Sequence, residues 1–203
     1  MLGDLFREGF DITTNHEDAD AIVVNTCAFV DEAKAESISA IMDAAAHKAG
    51  STSKRVVVTG CMAQRYAAEL AAELPEADLV VGFERYGELA GALHASLGSG
   101  GRGGGGGGGA ASGGGARVLV GSATVPFRPE WDRHALTPRH TAYLRVAEGC
   151  DHACTFCAIP SFRGRFRSKP WDALIDEARR LAASGVVELN LIAEDTNQYG
   201  SGA

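Results

Sequence analysis

One stretch of this chain takes up half of its glycines. Residues 98–115 read GSGGRGGGGGGGAASGGG and hold thirteen of the 26 glycines. Glycine loses more conformational freedom on ordering than any other residue, and this run has almost nothing to bury in return. It is therefore predicted to be a flexible coil, nicked first at Arg102 under limited proteolysis. Each flank must then build its own core, for which 45% hydrophobic residues in 203 suffice. The expected division is an N-terminal domain at residues 1–97, a linker and connection at 98–135, and a further folded part at 136–203.

The first part alternates. ADAIVVNTC reads as a buried strand, VDEAKAESISAIMDAAAHKAG as a helix, KRVVVTGC as a strand and AQRYAAELAAELPE as a helix, and DLVVG with ERYGELAGALHASL repeats the pattern. Continuous Val/Ile runs between helices predict an α/β fold, a doubly wound parallel sheet with helices on both faces. After the coil, RVLVGSATVPFRPEWDRHALTPRH is a proline-containing connection with at most one short strand. TAYLRVAEGC is then a strand ending at Cys150. SKPWDALIDEARRLAASG is a helix with Ser168 as N-cap, Leu174, Ala178 and Leu181 as its apolar stripe and Gly185 as its stop. VVELNLIAEDTNQYG supplies the next strand, which completes one βαβ unit.

MLGDLFREGF carries Asp4, Arg7 and Glu8 where a secretory signal would need its apolar core, and no run of eighteen apolar residues follows. A cytoplasmic location is expected, with no membrane partner. In a reducing compartment five cysteines read as metal ligands, catalytic thiols or buried small hydrophobes, not as a disulfide framework. A net charge of −7 lacks the general basic field of a non-specific nucleic-acid binder.

EGCDHACTFCAIPSFRG places Cys150, Cys154 and Cys157 within eight residues, in a loop at a strand's C-terminal end. That rim is where open α/β sheets and β/α barrels place their active sites. Structural zinc prefers four ligands in two CxxC pairs, and no second pair exists here; His152 would crowd the three sulfurs. The ferredoxin spacings also differ. Three thiolates can hold three irons of a 4Fe-4S cluster and leave the fourth open to a ligand. Cys27 and Cys61 end two strands, VVNTC and VVTGC, and adjacent parallel strands would bring both to one rim. Each alone is more often a core thiol.

CxxxCxxC with Phe156 before its third cysteine resembles the signature of the radical S-adenosylmethionine (SAM) superfamily. TPRHTAYLRVAEGC, TFCAIPSFRGRFRSKP and LNLIAEDTNQYG narrow the resemblance to the methylthiotransferases of the RimO type. The tRNA-modifying MiaB type usually has tyrosine and threonine where this chain has Ser161 and Phe162. The resemblance implies an N-terminal methylthiotransferase domain, then the first βαβ unit of a partial radical SAM β/α barrel. It implies a 4Fe-4S cluster on Cys150, Cys154 and Cys157, SAM as a second cofactor bound near Phe156, and an auxiliary 4Fe-4S cluster involving Cys27 and Cys61. The auxiliary site's remaining cysteine is expected ahead of the helix in which this sequence begins, and the rest of the barrel beyond its end. The implied activity is methylthiolation of an aspartate in a small-subunit ribosomal protein, with an electron donor as a further partner. No individual catalytic residue is assigned.

Two segments stay open. RGRFRSK sets Arg163, Arg165, Arg167 and Lys169 beside the cysteine loop, as an anion site or as a solvated approach to a helix. EDTNQYG puts Glu194, Asp195, Asn197 and Gln198 on the same rim, as hydrogen-bonding partners of SAM or as ordinary strand-end polarity. The rival functions are a tRNA methylthiotransferase of the MiaB type, the one reading that brings a nucleic-acid partner, and a catalytically incompetent iron–sulfur or zinc-binding fragment.

Overall fold

A computed structural model describes residues 1–48, 53–98, 117–123 and 138–201. Arg102 and most of the glycine run lie outside the described residues. The chain forms two compact units, Gly3–Ser122 and Ala123–Ala203.

The first unit is built on four parallel strands in the order β1 (Ala21–Thr26), β2 (Arg55–Gly60), β3 (Leu79–Val81), β4 (Arg117–Leu119). Val56, Val57 and Val58 of β2 are all fully buried, which requires cover on both faces of the sheet. Each such side chain contributes roughly 1.5–3 kcal/mol. On one face Val56, Val58 and Val80 pack with Ile41 and Ala44 of α2 (Asp31–Lys48), Met62 and Ala63 of α3 (Cys61–Arg65) and Leu70 of α4 (Ala67–Glu73). Arg55, of the opposite parity, reaches Ser96 of α5 (Leu89–Gly98) with Nε–O 3.1 Å. A short first helix, α1 (Leu2–Arg7), precedes the sheet, and just after it Phe10 stacks on His94 of α5 at 4.4 Å. At the sheet's N-terminal end Asp78 accepts from the Val56 amide at 2.7 Å and pairs with Lys48 at 2.7 Å, joining two strands and α2 through one carboxylate.

The expected helix AQRYAAELAAELPE divides at Tyr66, whose φ of −125° interrupts the helical path. The segment after β3 begins as a 3₁₀ turn, Phe83–Glu88, before α5. The short strand after the glycine run is β4, and it pairs with β3 in the register Leu79↔Arg117 to Val81↔Leu119. Gln64 holds the return, donating from Nε2 to the Gly121 carbonyl at 2.9 Å while its Oε1 accepts from the Phe83 amide at 3.1 Å. The first unit therefore reaches Ser122, beyond the boundary at residue 97 that composition favours.

The second unit has the expected βαβ unit. β5 (Thr141–Arg145) pairs in parallel with β8 (Glu188–Ile192), and α7 (Trp171–Ala183) lies between them in sequence. Leu174, Ala178 and Leu181 of α7 pack with Leu144, Val146, Leu189 and Ala193. Gly185, at φ +96°, ends α7, and the Val186 amide bonds back to the Leu181 carbonyl at 3.2 Å. Ser168 is not the N-cap. Pro170 occupies that position, and Ser168 belongs to a two-residue strand β7 (Arg167–Ser168) that pairs antiparallel with β6 (Ala147–Glu148). Its hydroxyl instead accepts from the Gly200 amide at 2.9 Å.

Candidate metal centre

The β6–β7 ladder closes the base of the cysteine loop, in the register Ala147↔Ser168 and Glu148↔Arg167. Inside that base the Cys150 amide donates to the Gly164 carbonyl at 3.2 Å. Gly149 makes the turn into the loop at φ +79°, where an added Cβ would lie 2.2 Å from the Arg165 carbonyl oxygen. A second turn, with the Cys157 amide bonded to the Cys154 carbonyl at 3.1 Å, sets the last two cysteines beside each other. Phe156 stands at its apex, 85% exposed. The short helix α6 (Ile159–Arg163) follows with proline in its first turn.

Cys150, Cys154 and Cys157 line one open cleft of about 450 Å³, together with His152, Ser161 and Arg165. None of the five cysteines is in a disulfide. Three thiols on one cleft, in a loop fixed at its base by backbone bonds, suit a cluster bound through three sulfurs and open on its remaining side.

The polar residues flanking the cleft mostly hold the loop. Glu148, buried, pairs with Arg163 at 2.9 Å and Arg145 at 3.2 Å. Glu194 accepts from the Gly149 amide at 3.1 Å and pairs with Arg163 at 3.5 Å. Asp151 accepts from the Phe166 amide at 3.0 Å and pairs with Arg165 at 3.3 Å. The Phe166 N–H, then Arg165, hold the Asp151 carboxyl below its ordinary range. Asp195 is shifted the same way, first by the Asn197 N–H and then by His152 and Gln198. Lys169 is buried against Glu177 of α7. Of the four cations in RGRFRSK, then, Arg163, Arg165 and Lys169 pair with carboxylates, and Arg167 bonds the Arg165 carbonyl at 2.8 Å. Arg165 lines the cleft.

Sequence reasoning left out Glu148, Asp151 and the His152–Asp195 pair. The signal for the first two is their matched separation from Arg163 and Arg165 across the loop. It becomes readable only once the ladder register is known.

In the first unit Cys27 and Cys61 each directly follow one member of the register pair Thr26↔Gly60. Thr26 donates from its hydroxyl to the Thr59 carbonyl at 2.5 Å, and the Cys27 amide donates to the Ser37 hydroxyl at 2.9 Å. Gly60 has φ +95°, and a Cβ there would meet the Thr26 oxygen at 2.4 Å. The two cysteine positions thus leave neighbouring strands at one level. Cys61 also packs against the core.

Residues 1–82 match the family model described as "Uncharacterized protein family UPF0004", and residues 144–201 match "Radical SAM superfamily". A ribosomal protein uS12 methylthiotransferase RimO of Symbiobacterium thermophilum is 44% identical over 202 residues, covering 98% of this chain and 38% of the relative. Those of Geotalea uraniireducens and Geobacter sulfurreducens are 42% and 41% identical over 200 residues, each covering 98% of this chain and 42% of the relative. Over nearly its whole length the chain is similar to RimO-type radical SAM methylthiotransferases. It spans about two fifths of the length of these RimO relatives. The two matched families imply iron–sulfur clusters and SAM. Both family models fall on segments that bear the candidate cysteines, the first on Cys27 and Cys61 and the second on Cys150, Cys154 and Cys157. Among the described residues no helix is long and apolar enough to cross a membrane.

Proposed function

We propose that this chain provides the cluster-binding part of a cytoplasmic enzyme that methylthiolates an aspartate of ribosomal protein uS12. The observation that carries the reading is the shared cleft of Cys150, Cys154 and Cys157 in a loop pinned on both sides. These three thiolates would hold a 4Fe-4S cluster, and SAM would bind near Phe156. When bound, the cluster supplies the electron, received from a donor protein, for reductive cleavage of SAM. Cys27 and Cys61 would contribute to a second 4Fe-4S cluster, whose chemistry is sulfur donation.

The chain's own groups position the reactants. Glu194 fixes the Gly149 amide, and with it the approach to Cys150; Arg163 links Glu194 to Glu148 behind the loop. Asp151 ties the near side of the loop to the Phe166 amide on its far side. Such bracing keeps three sulfurs at fixed separations while the cleft stays open to substrate. Three of the four RGRFRSK cations, Arg163, Arg165 and Lys169, pair with carboxylates of this chain, which supports a protein substrate over a phosphate-rich tRNA.

The test is iron and sulfide analysis after anaerobic reconstitution. The parent should bind iron with a broad visible charge-transfer band, and a Cys150→Ala, Cys154→Ala, Cys157→Ala triple variant should lose that site's iron. Zinc without iron in the parent, or unchanged iron in the variant, overturns the reading.

A further inference from the structure

Cys150 belongs to a second set of donor atoms besides the three sulfurs. Cys150 Sγ, a His152 ring nitrogen and an Asp195 carboxylate oxygen all lie within 4.8 Å of one another. We propose that in the iron-free chain these three residues bind a single divalent ion of the zinc class.

The arrangement of Asp195 is the first argument. Its Oδ1 accepts from the Asn197 amide at 2.9 Å, which fixes the carboxylate and leaves Oδ2 directed at His152, 2.8 Å away. The side chain is only 9% exposed, so its charge is held out of bulk water beside a thiol. His152 supplies the second argument. Its Nε2 lies 2.8 Å from Asp195 Oδ2, and Gln198 Nε2 donates to that same oxygen at 2.9 Å, so an imidazole nitrogen and a carboxylate oxygen already face each other beside Cys150. A cation bound there would meet a lone pair from each group, the imidazole in its neutral form.

Ligand chemistry selects the ion. Sulfur, imidazole nitrogen and carboxylate oxygen together suit zinc and its neighbours, whereas magnesium and calcium want oxygen alone. Tetrahedral coordination with bonds of about 2.0–2.3 Å needs donors roughly 3.3–3.8 Å apart. The His152–Asp195 pair, at 2.8 Å, must therefore open by about 0.5 Å, and separations as long as 4.8 Å must close by on the order of 1 Å. The His152 side chain, 60% exposed, is free enough of packing to swing inward. On binding, the Cys150 thiol gives its proton to solvent as the sulfur–metal bond forms, and water from the open cleft takes the fourth position.

Since Cys150 also belongs to the three-cysteine set, the ion and an iron cluster exclude each other. The ion would order the loop of unloaded protein and leave when the cysteines take iron. Binding in the iron-free chain does not depend on the cluster assignment.

The experiment titrates the full, iron-free chain anaerobically with Co²⁺, using Zn²⁺ as competitor and circular dichroism to check folding. One Co²⁺ per chain is expected, with a thiolate-to-cobalt band that Zn²⁺ abolishes. His152→Ala, an exposed position that the fold tolerates, should weaken binding by about tenfold or more, and Asp195→Asn likewise. Cys150→Ser should remove the band. A Cys154→Ser, Cys157→Ser double variant should keep it, and His152→Ala should keep its iron on reconstitution. The proposal is overturned if the parent lacks the band, if His152→Ala binds Co²⁺ as the parent does, or if the double variant loses it. It is equally overturned if His152→Ala loses iron together with cobalt, which would make the histidine part of the cluster site.

Discussion

At the scale of single residues, two glycines carry more of the architecture than their size suggests. Gly60 and Gly149 sit at φ +95° and +79°, each immediately before a candidate metal-binding cysteine, and each lies against backbone that a Cβ would strike. A left-handed conformation imposed on alanine costs about 1–3 kcal/mol before any clash is counted. Gly60→Ala should therefore lower stability by at least about 2 kcal/mol in urea unfolding; an unchanged midpoint would show that the β1–β2 rim can rearrange. Asp195 gives a pH-dependent case. Its folded carboxyl titrates below the ordinary value of 3.8, because the Asn197 N–H and then His152 and Gln198 favour the charged form. The stabilisation is therefore fully present above that ordinary value and is lost as pH falls through the lower folded one. The Asn197 amide resonance should shift in acid below about pH 4, whereas in Asp195→Asn that carboxyl's contribution to the acid shift should vanish. An equal shift in the variant would mean that another group drives it.

At the scale of elements, α7 is held to the loop behind the cysteines by a buried pair. Lys169 and Glu177 are each 2% exposed, the Lys169 amide bonds the Val146 carbonyl at 2.8 Å, and Tyr199 donates to the Lys169 carbonyl at 3.0 Å. Removing one partner of such a pair costs about 3–5 kcal/mol, whereas replacing both by apolar groups is often neutral. Glu177→Ala should destabilise the second unit by that order, and Lys169→Met with Glu177→Leu should recover most of the loss, both read by thermal unfolding. If the double variant is no better than the single one, the pair is not what anchors the helix.

Elements with many residues in one period were legible from the sequence. The Val/Ile runs of β1 to β3, the stripe of α7 and its stop at Gly185 needed no tertiary information. The β6–β7 ladder was not legible, because two residues a side have no periodicity; what fixes it is pairing between residues 19 and 21 apart in the chain, set by the loop it encloses. Ser168 looked like a cap because serine often is one, and the Gly200 amide claims its hydroxyl instead. The same limit applied at the site. The cysteines could be read from their spacing, whereas the bonds of Glu194 to the Gly149 amide and of Asp195 to His152 could not, since those partners are distant in sequence.

At the scale of the whole molecule, the first unit closes only when β4 joins β3. A fragment of residues 1–122 contains all four strands, the Gln64 bridge and the Ser122–Glu84 hydrogen bond at 2.7 Å. It should fold alone and unfold cooperatively. A fragment ending at residue 98 loses the β3–β4 hydrogen bonds, each worth about 0.5–1.5 kcal/mol net, and should be less stable by at least about 1 kcal/mol. Equal urea midpoints for the two fragments would mean that β4 is incidental to the unit.

The late return of β4 also has a temporal side during synthesis. Val81 is made well before Leu119, its partner in the finished sheet. At about 5–20 residues per second a ribosome takes on the order of 2–8 s to cover that interval. For that time β3 carries a bare hydrogen-bonding edge, open to any nascent or neighbouring chain that can offer a strand. Lengthening the glycine run would barely change equilibrium stability, since closure entropy grows only with the logarithm of loop length. It would, however, extend the exposure in direct proportion to the residues added, so the length of that run governs yield from the ribosome more than it governs the folded state.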